Sequence, residues 1–225
     1  MLTARYKPAL NRILKPLAAG IARSGVAPST ITLMCPILSA MICLWFLRTR
    51  AVVPFCVAIA AVGSLDGLDG AVARVSGRVT KFGAYLDALA DRYVEAIVAL
   101  SVAYVTGYWV LIMVVLVGSF LVSYAKARAA MEVAVSNQEW PDLMERTERA
   151  VVFLVGLAAG AVISCRPFGH DLFWWTLCAL ALLTHATVVQ RLLRARRFIE
   201  ERSRLEAQGC RQPHLPPASS LQPPA

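Results

Sequence analysis

The chain has 225 residues, of which 58% are hydrophobic and 16% are charged, and its net charge is +9. Soluble globular domains have roughly 45–50% apolar and about 25% charged residues, so this composition excludes an ordinary soluble protein and indicates an integral membrane protein. The six cysteines fall mostly within apolar runs and form no C-x-x-C pair. This pattern indicates packing residues rather than disulfides or zinc ligands.

The predicted elements are apolar helices joined by short polar connections. Residues 1–30 mix basic and apolar residues at helical spacing, which predicts a helix lying in the membrane interface. Residues 31–190 predict an all-α transmembrane domain, because a bilayer core of about 30 Å requires about 20 apolar residues per helix. Residues 191–207 predict a basic helical extension, and 208–225 a disordered tail. Six transmembrane helices are predicted, at 31–47, 52–72, 82–105, 109–130, 150–165 and 172–189.

Basic residues are concentrated in alternate connections. Lys and Arg crowd the N-terminal segment, residues 74–81, residues 126–149 and the stretch from Arg191 onward, whereas the other connections hold few. By the positive-inside rule, both termini lie in the cytoplasm and the chain crosses the cytoplasmic membrane several times. Because the positive charges lie beside predicted spans, anionic lipid headgroups explain them better than nucleic acid, which is not a predicted partner.

Four aspartates lie where the second and third predicted spans meet. Asp66 and Asp69 are three residues apart, and Asp87 and Asp91 are four apart, so each pair shares one helix face. If the two helices face each other, the carboxylates converge and require a cation to offset their repulsion. Carboxylate ligands suit Mg²⁺ or Mn²⁺, and two ions about 3.5–4 Å apart could clamp a phosphoryl group. The alternative, a solvated loop, is disfavoured because a carboxylate at apolar depth costs about 2.5–3.5 kcal/mol.

The same stretch resembles the signature of the CDP-alcohol phosphatidyltransferase family. The residues that match its D-x-x-D-G-x-x-A-R-x8-G-x3-D-x3-D motif are Asp66, Asp69, Gly70, Ala73, Arg74, Gly83, Asp87 and Asp91. The resemblance implies an enzyme that moves a phosphatidyl group from CDP-diacylglycerol or CDP-archaeol to a small alcohol and releases CMP. It also implies a homodimer whose active site faces the cytoplasm and holds two metal ions.

Individual roles follow from this resemblance. It implies that the four aspartates bind the metal ions and that Asp91 is also the general base that takes the proton of the acceptor alcohol. It further implies that the CDP-lipid is bound by Ala27, Pro28, Ser29, Thr30, Gly70, Ala73, Arg74 and Thr80.

Two further stretches bear on the acceptor alcohol. Residues 122–130 and 144–156 resemble the phosphatidylinositol-phosphate and archaetidylinositol-phosphate synthase branch of the family. That resemblance implies that Lys126, Arg146 and Arg149 bind the phosphate of inositol phosphate, and arginine suits the task because its planar fork donates to two oxygens. Glycerol 3-phosphate is the alternative acceptor. The alternative interpretation is that these basic residues only set the orientation of the protein in the membrane.

A membrane cation transporter is the rival from another class, since acidic residues between spans also suit an ion pathway. A pathway requires polar residues throughout the membrane, whereas the acids of this chain cluster at one end of two spans. Glu95, one turn beyond Asp91, either supports the site or holds Arg92 in place. The sequence therefore favours a lipid phosphotransferase.

Overall fold

The structure, a computed structural model, describes the following residues: 20, 28–132 and 144–207, with the side chains of Asp66, Asp69 and 205–207 excepted. Within these residues the regular elements are all helical. The α-helices are α1 (Pro28–Thr49), α2 (Val52–Val75), α3 (Lys81–Thr106), α4 (Trp109–Glu132), α5 (Arg146–Val162) and α6 (Leu172–Ala207), with a 3₁₀ turn at Pro167–Gly169. The predicted interfacial helix and tail lie almost wholly outside the described residues.

The six predicted spans coincide with these helices, which confirms an all-helical membrane protein. In the described part of the chain, four helices are long and apolar enough to cross a membrane: α1, α2, α4 and α6. The α3 helix falls short because four charged side chains lie between Asp87 and Glu95, and α5 because it has 17 residues. The count of six spans therefore stays a prediction.

The connection between α2 and α3 is short because both of its ends are capped locally. Gly77 adopts a left-handed conformation (φ +67°), and the N–H of Arg78 bonds to the carbonyl of Ala73 at 3.0 Å, as in a Schellman motif. Thr80 then begins α3, its Oγ1 accepting a hydrogen bond from the Gly83 N–H at 2.9 Å. The two helices that carry the aspartates are therefore joined by a tight, internally bonded turn.

The helices pack in a closed order around a shared apolar core. The α1 helix packs against α2 and α3, α4 against α3 and α6, and α5 against α2 and α6. Phe46 and Phe55 stack with ring centroids 4.0 Å apart where α1 meets α2, while Leu177 and Leu180 are fully buried on α6. Many large apolar side chains on the outer faces are exposed, such as Ile37 and Leu182. This is the surface that lipid covers in a membrane protein.

Two glycines allow α5 and α6 to approach closely. Gly156 and Gly160 are four residues apart and share one face of α5, as in the small-xxx-small pattern of membrane helices. A Cβ at Gly160 would lie 2.7 Å from the Cβ of Phe173, and one at Gly156 would overlap Thr176. The absence of side chains at these two positions therefore sets the spacing between the helices.

Replacing Gly160 by Ala is expected to destabilise the protein by about 1–3 kcal/mol, because the added carbon overpacks the contact with Phe173. Gly63→Ala is the matched control, since a Cβ at Gly63 meets nothing within 4 Å. The thermal unfolding midpoint in one detergent measures both. A midpoint for Gly160→Ala equal to that of Gly63→Ala would show that α5 and α6 are not in close contact.

Candidate active site

The α3 helix carries two of the predicted metal ligands on one face. Asp87 is half-buried and Asp91, one turn later, is 8% exposed. Asp91 forms an ion pair with Arg146, in which Nη1 donates to Oδ2. Arg146 is the first residue of α5, so this contact joins the beginning of α5 to the aspartate face of α3.

The residues around this face suit a divalent metal by their chemistry. Asp66 and Asp69 share one face of α2 by their helical spacing, and carboxylate oxygens are the ligands that Mg²⁺ and Mn²⁺ prefer. Both aspartate-bearing helices pack against α1 and are joined by the short turn at Gly77. The described side chains hold no group of three or more His, Cys, Asp or Glu placed to bind one ion, and those of Asp66 and Asp69 are not described. The four-aspartate site therefore stays a prediction.

A cationic cavity of about 350 Å³ opens beside Asp91. Arg146, which pairs with Asp91, is also part of its wall. The lining contains five basic residues and one acidic residue, a composition that favours an anionic ligand. The lining residues are Arg92, Val122, Ser123, Lys126, Ala127, Glu145, Arg146, Arg149 and Arg191.

The beginning of α5 places two of these arginines. Glu145 precedes the helix, and its backbone N–H bonds to the Glu148 carboxylate at 3.0 Å, which caps the first turn. Arg146 and Arg149 are three residues apart and thus lie on the same side of the helix. Arg149 is 5% exposed, and its Nη1 donates to the carbonyl of Met144 at 3.1 Å. Because Arg149 is buried and hydrogen-bonded, its position favours a role in the site over a role that is limited to orienting the protein in the membrane.

On α4 the structure separates two neighbouring basic residues. Lys126 is half-buried and lines the cavity. Arg128 is exposed and forms an ion pair with Glu132 at 2.7 Å. Tyr124, on the same helix, is 65% exposed. The three residues predicted to bind the acceptor phosphate, Lys126, Arg146 and Arg149, therefore meet at one cavity, whereas Arg128 and Tyr124 lie apart from it.

Two of the five cationic cavity residues, Arg191 and Arg92, were not among the predicted ligands of the acceptor phosphate. Arg191 is 4% exposed and its Nη1 donates to the backbone carbonyl of Val122, although sequence analysis assigned it to the basic extension. Arg92 lines the cavity next to Asp91 in the chain. The sequence signal for Arg191 as a cavity residue was its position directly at the end of an apolar run. This signal is ambiguous, because a basic residue at such a position faces either water or protein.

The residues predicted to bind the CDP-lipid fall into groups. Gly70, Ala73 and Arg74 lie on the last turns of α2, and a Cβ at Gly70 would lie 3.4 Å from Arg74 Nη1. The guanidinium of the exposed Arg74 side chain therefore lies close to Gly70, which is half-buried. Thr80 caps α3 instead, with its hydroxyl bonded to Gly83.

The predicted N-terminal part of this set lies at the beginning of α1. Pro28, Ser29 and Thr30 form the first turn of the helix rather than a segment ahead of it. Pro favours the beginning of a helix because its missing N–H is not needed there. Ala27 lies outside the described residues.

Comparison with known proteins identifies the family. The family profile for CDP-alcohol phosphatidyltransferases matches residues 25–186. This chain belongs to the CDP-alcohol phosphatidyltransferase family. The match covers the aspartate motif, the cavity residues of α3 to α5 and the first part of α6. The chain is therefore a membrane-embedded phosphotransferase that acts on CDP-linked substrates.

Two relatives in the CDP-alcohol phosphatidyltransferase family align with most of the length of this chain. The chain is 28% identical to archaetidylinositol phosphate synthase of Pyrococcus horikoshii over 202 residues, which is 88% of the chain and 99% of that protein. It is 33% identical to phosphatidylinositol phosphate synthase of Corynebacterium glutamicum over 201 residues, or 84% and 86% of the two proteins.

Solved structures of this family are also similar. A crystal structure of Mycobacterium tuberculosis phosphatidylinositol phosphate synthase with CDP-DAG bound superposes with a TM-score of 0.71 at 27% identity, covering 82% of this chain and 94% of the other. The same enzyme in complex with manganese and citrate gives a TM-score of 0.70 at 27% identity, covering 81% and 88%. The helical arrangement described above is therefore that of a phosphatidyltransferase.

Proposed function

We propose that this enzyme transfers the phosphatidyl group of CDP-diacylglycerol to a hydroxyl of inositol phosphate, giving phosphatidylinositol phosphate and CMP. The observation that carries the proposal is that Arg146 belongs both to the cationic cavity and to an ion pair with Asp91. A phosphate held in the cavity therefore lies beside the carboxylate proposed as the base. The relatives named above, which are phosphatidylinositol and archaetidylinositol phosphate synthases, support this acceptor.

The proposed reaction divides the work between two groups of residues. Lys126, Arg146 and Arg149 bind the acceptor phosphate through charged hydrogen bonds and thereby orient its hydroxyl. Asp91 accepts the hydroxyl proton at a carboxylate oxygen. The acceptor oxygen forms a bond to the phosphorus nearest the lipid as that phosphorus releases CMP. Arg74 stabilises the charge that grows on the departing phosphate.

The aspartates of α2 and α3 complete the proposed site. Asp66, Asp69, Asp87 and Asp91 would hold two Mg²⁺ or Mn²⁺ ions, and the manganese complex of the mycobacterial enzyme supports the choice of metal. When bound, the ions neutralise and orient the diphosphate. Arg74 and Gly70 contribute the nucleotide side of the site.

We place the active site on the cytoplasmic side of the cell membrane. Four of the five cationic residues of the cavity come from segments that the positive-inside rule assigns to the cytoplasm, and the fifth, Arg92, lies in the half of α3 that begins on that side. Both termini lie on that side in this arrangement, with residues 1–30 in the interface and 191–207 as a basic extension. The proposed assembly is a homodimer, as the family resemblance implies.

The test of the reaction class is CMP release by the purified protein in liposomes. With CDP-diacylglycerol and inositol phosphate, we expect CMP in amounts equal to the phospholipid product, and only when Mg²⁺ or Mn²⁺ is present. A cation transporter predicts ion flux without CMP. CDP-archaeol in place of CDP-diacylglycerol determines which lipid is used, and no CMP from either donor would reject the proposal.

A further inference from the structure

Two polar side chains behind the cavity take no part in the function described so far. Glu95 lies on α3, one turn beyond Asp91, and Ser119 is 1% exposed in the middle of the apolar helix α4. The Ser119 hydroxyl donates to Glu95 Oε1 and accepts a hydrogen bond from Arg149 Nε at 3.0 Å. One hydroxyl therefore connects a carboxylate on α3 to a cavity arginine on α5.

The same carboxylate also holds a second cavity arginine. Glu95 Oε2 accepts a hydrogen bond from Arg92 Nη1 at 3.2 Å. Its two oxygens are thus divided between Arg92, which it contacts directly, and Arg149, which it reaches through Ser119. Both arginines line the cavity.

These bonds fix the orientation of the Arg149 guanidinium. Nε is bonded to Ser119 at 3.0 Å and Nη1 to the Met144 carbonyl at 3.1 Å. Because the group is planar, two fixed nitrogens determine the direction of the third. Nη2 makes no hydrogen bond to the described residues and belongs to a side chain in the cavity wall. It is the nitrogen left to donate to a ligand.

We propose that Glu95 and Ser119 are positioning residues that hold Arg92 and Arg149 in the orientation that binds the acceptor phosphate. The proposal rests on the function proposed above and deepens it. A preorganised arginine loses less freedom when the phosphate binds, so the network lowers the KM for a phosphorylated acceptor. A purely structural network would stabilise the fold without favouring either substrate.

The experiment compares Ser119→Ala with Ser101→Ala. Ser101 is a matched control, since it is 4% exposed and its hydroxyl bonds to the Val98 carbonyl at 2.9 Å and to Cys43 Sγ at 3.3 Å, neither of which lines the cavity. We expect Ser119→Ala to raise the KM for inositol phosphate about tenfold, with kcat and the KM for CDP-diacylglycerol unchanged. Ser101→Ala should change none of the three.

Glu95→Gln is the second variant, because it keeps the shape of the side chain and removes the charge that pairs with Arg92. It should raise the same KM even where Ser119→Ala does not fold. An acceptor KM equal to that of the wild type in both variants, or equal losses in all three kinetic constants, would overturn the proposal.

A binding measurement separates failure of this proposal from failure of the proposed function. Inorganic sulfate, a tetrahedral dianion, should raise the thermal unfolding midpoint of the wild type more than that of Ser119→Ala. A larger shift in the wild type supports the positioning role of Ser119, whether or not the enzyme uses inositol phosphate. If the wild type does not use inositol phosphate, only the proposed function is rejected. An equal shift in both proteins, or none in the wild type, overturns the positioning role.

Discussion

Replacing Asp87 by Asn is expected to lower CMP release about 10³-fold, since a group that stabilises charge in the transition state contributes about 10²–10³ in kcat. The amide keeps the shape of the side chain but is a weaker ligand for a divalent ion. Asp87 is half-buried on the same face of α3 as Asp91, so the loss should fall on the reaction rather than on the fold. The measurement is steady-state turnover of purified protein with Mg²⁺ and with Mn²⁺.

Glu200→Gln is the matched control for this prediction. It makes the same carboxylate-to-amide change at an exposed position of α6, where the carboxylate pairs with Arg196 at 2.6 Å. We expect it to retain full turnover, and a chelator to inactivate the wild type reversibly. Near-normal turnover with Mg²⁺ in both Asp87→Asn and Asp66→Asn would rule out the proposed two-helix metal site.

The second large effect concerns the acceptor. Changing Arg146 or Arg149 to Ala is expected to raise the KM for inositol phosphate about 10- to 150-fold, since a charged hydrogen bond contributes about 1.5–3 kcal/mol. The KM for CDP-diacylglycerol should stay nearly constant. Arg74→Ala should raise the KM for CDP-diacylglycerol and leave the KM for inositol phosphate nearly constant, because Arg74 lies on the last turn of α2 and not in the cavity wall.

Arg128→Ala is the control for these arginines. It lies two residues from Lys126 and pairs with Glu132 outside the cavity. If the basic residues only set topology, all these variants should keep wild-type kinetics and differ at most in the amount of inserted protein. An unchanged acceptor KM in both Arg146→Ala and Arg149→Ala would therefore remove the reason to assign a phosphorylated acceptor.

Most of the fold followed from local sequence patterns. Apolar runs of the length of a bilayer located all six helices, because helix position depends on composition along the chain. The charged residues from Asp87 to Glu95 show why span counting is less secure. These side chains make α3 too polar for a lone span, and they pair with one another and with residues of neighbouring helices. The continuous run of α6 to Ala207 is likewise a helix that extends beyond its apolar segment.

The residues of the candidate site that belong to sequence motifs could be predicted. Those that reach the site only through contacts between helices could not. Lys126, Arg146 and Arg149 came from family resemblance, and the structure brings them to one cavity. Arg191 was assigned to topology because burial of an arginine depends on which helix packs over it. The bond from Ser119 to Glu95 joins residues 24 positions apart on two helices, and no local pattern signals it.

The cationic cavity beside Asp91 is expected to select a phosphorylated alcohol. The most direct measurement is a competition in which the purified enzyme in liposomes receives CDP-diacylglycerol, Mg²⁺ and equal concentrations of inositol phosphate, glycerol 3-phosphate, free inositol and serine, with products identified by mass. We predict phosphatidylinositol phosphate as the main product. Phosphatidylglycerol phosphate as the main product would reject the inositol assignment but retain the cavity, whereas mainly phosphatidylinositol or phosphatidylserine would contradict the claim.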